Sequence, residues 1–358
     1  MLALLSQNSA TVAVQISDQG QTRVALNIKG KNAMTLSVLY IGGTGQISLP
    51  CVEASVAAGH RVTVLNRGKT SVPLPKGVAT LVGDMNDAAY AELGDRRFDV
   101  VAQFRLYTPE QMKRDIATFT GKTGQYVFIS SASVYEKPVR HYMMTEKTTK
   151  LENRYWEYSR NKIACEQLLR AQNKLPYTIV RPSHTVRTGM PIQLGDPDAA
   201  IRRMIAGKPV IVAGDGSSVW TLTRSVDVAE PLVRLLGNSR ALSEDFHITA
   251  DRGFTWNQIH EAIAQGFGVE AIHAHVPTTT LVRHNKEWEG PLMGDKTWTA
   301  LFDNTKIKSV VGPFDASQNL DEILADSIKH AKERLKRPSE ESDEDRLIDR
   351  IIAAQAAV

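Results

Sequence analysis

The 358-residue sequence predicts an α/β fold: a doubly wound parallel sheet with a smaller, partly discontinuous C-terminal lobe. Two observations predict it. From residue 35 onward, short apolar runs alternate with segments of helical periodicity, the pattern of βαβ crossovers. The runs are apolar throughout, as expected of parallel strands covered on both faces. Composition agrees, since 42% hydrophobic and 23% charged residues exclude a disordered chain. Two cysteines exclude a disulfide framework and a four-cysteine zinc site. No apolar stretch reaches the about 18 residues of a membrane span, so a cytoplasmic location and no membrane partner are expected. The net charge of +4 is mild and suits an anionic small ligand.

The expected strands are Leu36–Ile41, Arg61–Leu65, Ala79–Val82, Asp99–Phe104, Tyr126–Ser130 and Tyr177–Arg181. Helices are expected over Gln46–Ala58, Pro109–Thr120 and Tyr155–Gln172. These elements make residues 35–185 a nucleotide-binding domain. After residue 185 the order loosens, with strands at Pro209–Val212, Phe246–Thr249 and Ala271–Val276, and helices at Val226–Leu236, Thr255–Ala264 and Asn319–Lys336. Residues 186–336 therefore read as mainly a substrate lobe, with segments near 209–250 returning to the first sheet. Residues 1–34 read as a flexible leader. Residues 337–358 read as an acidic linker and a short amphipathic helix, which docks on the body or on a partner.

The first strand runs into Gly42-Gly-Thr44-Gly45-Gln46-Ile47-Ser48 and then a helix. Gly42 permits the tight turn, and Gly45 lets a pyrophosphate approach the backbone. The helix start offers free N–H groups and a positive dipole end. At the end of the second strand, Asn66 stands where a site selective for NAD carries an acid. Arg67 and Lys69 either hold a 2′-phosphate or are solvated loop charges. NADP is thus the expected cofactor, with NAD the alternative. Asp84, before Met85 at the end of the third strand, either accepts from the adenine amino group or caps a helix.

Tyr158 and Lys162 lie at i and i+4, on one helix face. A phenol near its reference pKa of about 10 is a poor base at neutral pH. A neighbouring ammonium lowers that pKa, and the same lysine can hold a ribose. A serine after the fifth strand can orient the substrate oxygen. Together the three groups can move a proton to or from a carbinol while a nicotinamide moves the hydride. A surface Tyr/Lys pair is the structural alternative.

In this order, Gly42-Gly-Thr44-Gly45, Asp84, Ser130-Ser131-Ala132-Ser133-Val134-Tyr135, Tyr158 with Lys162, Arg181-Pro182 and Gly214-Asp215-Gly216 with Val226-Asp227-Val228 resemble the short-chain dehydrogenase/reductase superfamily. The branch they resemble is the extended or atypical type, the NAD-dependent epimerase/dehydratase family, over about residues 35–336. The resemblance implies a Rossmann-type fold and an oxidoreductase or epimerase acting on a sugar, a nucleotide sugar or a similar small compound. It implies Tyr158 as acid/base, Lys162 as the partner that lowers its pKa and Ser131 as the catalytic serine, with Ser133 the runner-up. It implies cofactor contacts also at Met85, Phe104, Pro182, Ser183 and His184, and substrate contacts at Ser133 and His184. Three departures stand out. Arg105 and Leu106 replace the small residues usual after strand four, Asn66 replaces the acid, and Trp220 stands where nucleotide-sugar epimerases clamp a diphosphate with arginine. Arg224 is the candidate to compensate for Trp220. The family also implies a homodimer paired through the helix carrying Tyr158.

A non-catalytic NADP-sensing or RNA-binding relative is the alternative reading, because chloroplast stem-loop RNA-binding proteins look similar. No dense Lys/Arg stripe with interleaved aromatics is present, so a nucleic-acid partner is not expected. His273 and His275 share one side of a strand without a third ligand at fixed spacing, so no metal is expected. Cys165 reads as a buried small apolar residue. Trp288, Trp298 and Phe302 read as lid or core.

Overall fold

The computed structural model describes residues 13–16, 22–25, 34–69, 72–83, 90, 93–338 and 340–356. Most of the leader expected over residues 1–34, and both Asp84 and Met85, lie outside these residues. Seven strands form one parallel sheet: β1 (Ser37–Ile41), β2 (Arg61–Asn66), β3 (Ala79–Val82), β4 (Phe98–Gln103), β5 (Thr123–Ile129), β6 (Tyr177–Pro182) and β7 (Glu244–Ile248). Their order is β3-β2-β1-β4-β5-β6-β7, and every neighbouring pair is parallel. The chain changes direction across the sheet between β1 and β4, which opens a crevice at their carboxyl ends.

Successive residues of a strand point to opposite faces. Val38 and Tyr40 join a core with Cys51, Val52, Leu232 and Leu235, under helices α1 (Ser48–Ala57) and, later in the chain, Ser225–Leu235. Leu39 and Ile41 join the opposite core with Met112, Phe119, Cys165 and Leu169, under α2 (Pro109–Phe119) and α3 (Glu157–Ala171). Cys165 is indeed a buried apolar element of that layer. α2 starts at a capping box, where the Thr108 side chain accepts from Gln111 N–H and the Gln111 side chain reaches back.

The C-terminal part has its own core around Trp220, Phe254, Trp256, Ile259, Phe302 and Leu324. Of the segments expected to return near 209–250, only Glu244–Ile248 joins the large sheet. Val210–Ala213 pairs instead with His273–Val276. That pairing sets His273 and His275 on one side, with rings 5.6 Å apart. Among the described residues, no group of three or more His, Cys, Asp or Glu could hold a metal ion, and no helix is long and apolar enough to cross a membrane. The C-terminal helix, Asp343–Ala356, docks on the body. Its Ile348 and Ile351 bury against Ile211, Val276, Trp288 and Leu292, and Asp349 pairs with Arg203 at 2.6 Å.

A buried ion pair ties α3 to the sheet. Glu166 and Arg181 are both fully buried and meet at 2.6 and 2.9 Å. Glu166 also accepts from Ser130 Oγ at 2.6 Å, and Arg181 also meets Asp245 at 2.7 Å. Removing one partner of such a pair leaves a buried charge uncompensated. Because Arg181 keeps Asp245, Glu166→Gln should destabilise the fold by about 3 kcal/mol, the low end for a broken buried pair. Urea denaturation would test this, and an unchanged midpoint would contradict it.

Candidate active site

The elements above converge on the crevice beyond β1, β4 and β5. Gly42 has φ +85°, a conformation that side chains resist, and its N–H donates to the Leu65 carbonyl at 2.8 Å. A Cβ there would collide with Arg105, whose side chain lies along the turn where the sequence expects a small residue. Helix α1 has no side-chain cap and no acid in its first turn. Among the described residues, the N–H groups of Gln46 and Ile47 find no acceptor, whereas Gly45 N–H donates to Ser48 Oγ at 2.8 Å. The turn is thus a cradle of free donors, fit for a phosphate. Gln46 and Arg187 lock it to the chain after β6. Gln46 Oε1 accepts from Thr188, and Arg187 donates to the Gly45 and Gln46 carbonyls.

Asn66 Oδ1 accepts from Gly68 N–H at 2.9 Å, so the side chain closes a turn at the end of β2. Arg67 is exposed and has no ion pair among the described residues. Phe104 stacks on Tyr40 at 5.8 Å, Pro182 pairs with Ile248, and Ser183 Oγ donates to the Thr221 carbonyl at 3.2 Å.

Ser131, Tyr158 and Lys162 come together. The Ser131 hydroxyl is close enough to Tyr158 to act on its phenol. Ser133 is buried behind them, its Oγ bonded to Ser131 Oγ at 2.9 Å and to Ser159 Oγ at 2.8 Å. Lys162 is fully buried, and its Nζ donates to the Leu106 and Ile129 carbonyls at 2.7 and 2.8 Å. It lies 5.7 Å from the Tyr158 ring and 5.1 Å from the Tyr107 ring. Burial pushes the Tyr158 phenol up to about 12, against the lowering pull of its Ser131 hydrogen bond. Burial likewise pushes Lys162 down to about 7. The pKa-lowering effect expected from Lys162 is not among the influences on Tyr158. The ammonium is turned to backbone carbonyls, and burial outweighs the rest.

His184 is held neutral, its pKa pushed down to about 3 by burial and by the nearby charge of Lys296. Its ring meets Trp220 edge-on at 6.3 Å. Trp220 itself is 2% exposed and packs on Trp256, so it backs His184 rather than lining the crevice. Arg224 is not brought to the site. Asp227 takes two of its N–H groups at 2.8 and 2.9 Å, and Glu322 takes a third. Trp288 and Phe302 are core residues, while Trp298 Nε1 donates to the Met293 carbonyl.

Sequence reasoning missed Tyr107, Asn153 and Asp295. Tyr107 follows the last residues of β4 and had a positional signal. Asn153 Nδ2 donates to the carbonyls of Ser133 and Gly294 at 2.8 and 2.7 Å, and so joins the serine loop to the turn Leu292–Lys296. That bridge exists only in three dimensions.

The sequence profile of the NAD dependent epimerase/dehydratase family matches residues 38–249. A 2′-dehydrokanamycin reductase from Streptomyces kanamyceticus is 26% identical over 75% of this chain and 77% of its own. A chloroplast stem-loop binding protein of 41 kDa from Arabidopsis thaliana is 27% identical over 64% of this chain and 63% of its own. A UDP-glucose 4-epimerase from Bifidobacterium longum, solved with NAD+ and UDP, superimposes with a TM-score of 0.64 at 19% identity, covering 83% of this chain and 98% of that one.

The depressed lysine makes a prediction about stability. Below pH 7 Lys162 is charged both folded and unfolded, so the cost of burying it is felt in full. Between about 7 and its unfolded value, the unfolded chain holds the extra proton, so stability rises with pH. Replacing Lys162 by Met should therefore raise the melting temperature most at pH 6, with the gain shrinking toward pH 10. A difference that does not vary with pH would show that the lysine is not held neutral.

Proposed function

The chain belongs to the NAD dependent epimerase/dehydratase family, and from that premise we propose an NADP-using oxidoreductase or epimerase that acts on a sugar or a similar hydroxyl- or carbonyl-bearing compound. The convergence of Tyr158, Ser131 and buried Lys162, with the Ser131 hydroxyl acting on the phenol and Lys162 Nζ 5.7 Å from its ring, is the observation that carries this reading. Two neighbouring hydroxyls can together grip one substrate oxygen. At neutral pH the phenol keeps its proton, so it is ready as an acid. As a carbonyl carbon gains a hydride, Tyr158 delivers its proton to the oxygen, giving a carbinol. The reverse direction draws that proton back from the carbinol. A bound nicotinamide would supply or take up the hydride. Neutral His184 lines the same side without adding charge.

The turn at residues 42–47 would hold the dinucleotide phosphates, with Phe104, Pro182 and Ser183 walling the adjoining crevice and Lys162 within reach of a ribose. Asn66 and the exposed Arg67 favour NADP over NAD, since neither offers the carboxylate that ribose hydroxyls bind. A relative named as a reductase and a fold relative named as an epimerase support the two reaction types.

Tyr158→Phe should lower turnover by about 10²–10⁴-fold while leaving the NADP dissociation constant unchanged. A phenylalanine variant with full turnover would refute the acid/base role. Arg67→Ala should weaken NADP about tenfold, in line with one charged hydrogen bond, and leave NAD untouched. Titrations showing equal loss for both would remove the preference. Mass spectrometry of the purified protein separates the two reaction types, because an epimerase keeps its dinucleotide and a dehydrogenase exchanges it.

A further inference from the structure

Lys137 follows the serine loop and is 6% exposed. Among the described residues its ammonium makes no hydrogen bond and no ion pair. The carboxylate that acts on it is Asp295, from beyond ion-pair reach. Asp295 in turn makes no side-chain hydrogen bond or ion pair among those residues. It lies in the field of Lys137, Lys296 and the Tyr158 phenol. Lys296 is already engaged, donating to the Ile192 carbonyl at 2.8 Å. Burial pushes Lys137 down and Asp295 up to about 6, the directions expected of charges recessed without a direct partner.

The turn that carries Asp295 is held firmly. Leu292–Lys296 make one π-helical turn, a geometry concentrated at functional sites. Asn153 holds the Gly294 carbonyl, Trp298 the Met293 carbonyl and Trp256 the Lys296 carbonyl. A Cβ on Gly294 would stand 2.7 Å from Trp156 Cβ, and the Trp156 ring lies 4.9 Å from that of Tyr158. The turn is therefore pressed against Trp156 at the start of α3, two residues before Tyr158.

We propose that Lys137 and Asp295 form a subsite for neighbouring hydroxyl groups of the substrate, the ammonium donating and the carboxylate accepting. This rests on the reading that Tyr158 handles a sugar oxygen, and it narrows the substrate class to one that presents an uncharged polyol face here. The pair is neutral as a unit. An anion placed between them meets Asp295, and a cation meets Lys137, whereas a hydroxyl is both donor and acceptor and satisfies both.

The test uses the full chain loaded with NADP as wild type, Lys137→Met, Asp295→Asn, the double variant and Lys137→Gln. Methyl glucoside, methyl galactoside and UDP-glucose are the probes, read by hydride transfer to NADP, with NADP affinity measured separately. For a probe that the wild type uses, half-saturation should rise about tenfold in each of the first two variants, the loss expected when a buried polar partner goes unmet. The double variant should be little worse, because both groups hold the same hydroxyls. Lys137→Gln, which keeps an N–H donor, should recover part of the loss. NADP affinity should stay within about twofold, the group being remote from the phosphate turn. Lys137→Met should also melt higher than the wild type, which a structural lysine would not do. Unchanged half-saturation in Lys137→Met and Asp295→Asn overturns the subsite, as does a lower melting temperature with sugar use intact. If the wild type binds NADP but uses none of the three probes, the polyol assignment falls and the dinucleotide reading stands. If it binds no dinucleotide, both fall.

Discussion

The geometry of the crevice depends on the ion pair between Glu166 and Arg181. Tyr158, Lys162 and Glu166 follow one another at four-residue intervals along α3, so they share a face. Glu166 is the anchor of that face. One of its oxygens receives Ser130 Oγ and Arg181 Nε, and the other receives Arg181 and Arg170. Ser130 is the neighbour of Ser131, and Arg181 lies one residue before Pro182. A single carboxylate therefore sets the height of the phenol and the ammonium against both the serine loop and the strand that ends beside His184. Arg181 extends the tie through Tyr135 Oη at 3.1 Å, and Tyr135 meets His247 Nδ1 at 3.1 Å. The helix, three strands and the serine loop are thus fixed relative to one another by charge-assisted bonds. Apolar packing alone would allow them to slide.

Charge is handled differently inside the crevice. Elsewhere in the molecule, several charges meet in ion pairs: Arg203 with Asp349, Arg334 with Asp198, Arg224 with Asp227 and Glu322. Near Tyr158 and the turn Leu292–Lys296, among the described residues, Lys162 has carbonyl partners, and Lys137 and Asp295 have no hydrogen bond or ion pair. Each would be more stable if paired or replaced by an apolar group. Such costs persist where the arrangement serves a ligand, since evolution removes them elsewhere.

The sheet was legible from sequence because each parallel strand announces itself locally, as an apolar run between turn residues. The boundaries agree to within about three residues. The glycine turn and the Tyr158/Lys162 spacing were legible for the same reason. What was not legible depends on distance along the chain. The resemblance ranks Ser131 above Ser133, but that Ser133 lies behind Ser131, bonded to it and to Ser159, is visible only in three dimensions. Arg224 seemed free until Glu322, almost a hundred positions later, was seen to share it with Asp227. Trp220 carries a polar N–H, yet its ring is consumed by the lobe core. Asp295 had no local signal, because its turn follows neither helical nor strand periodicity.

That turn also explains why the C-terminal helix sits where it does. Leu292, the first residue of the turn, and Trp288, just before it, bury against Ile348 and Ile351 of the final helix. The far side of the turn faces Trp156 and Asn153, and through them Tyr158 and Ser133. The turn is thus clamped between the last helix of the chain and the start of α3. A π-helical turn is a rare geometry, and this one has support from outside. Side chains supply that support on the crevice side, and the final helix supplies it on the other. The acidic segment after Arg337 therefore leads to a helix that packs against the turn beside α3.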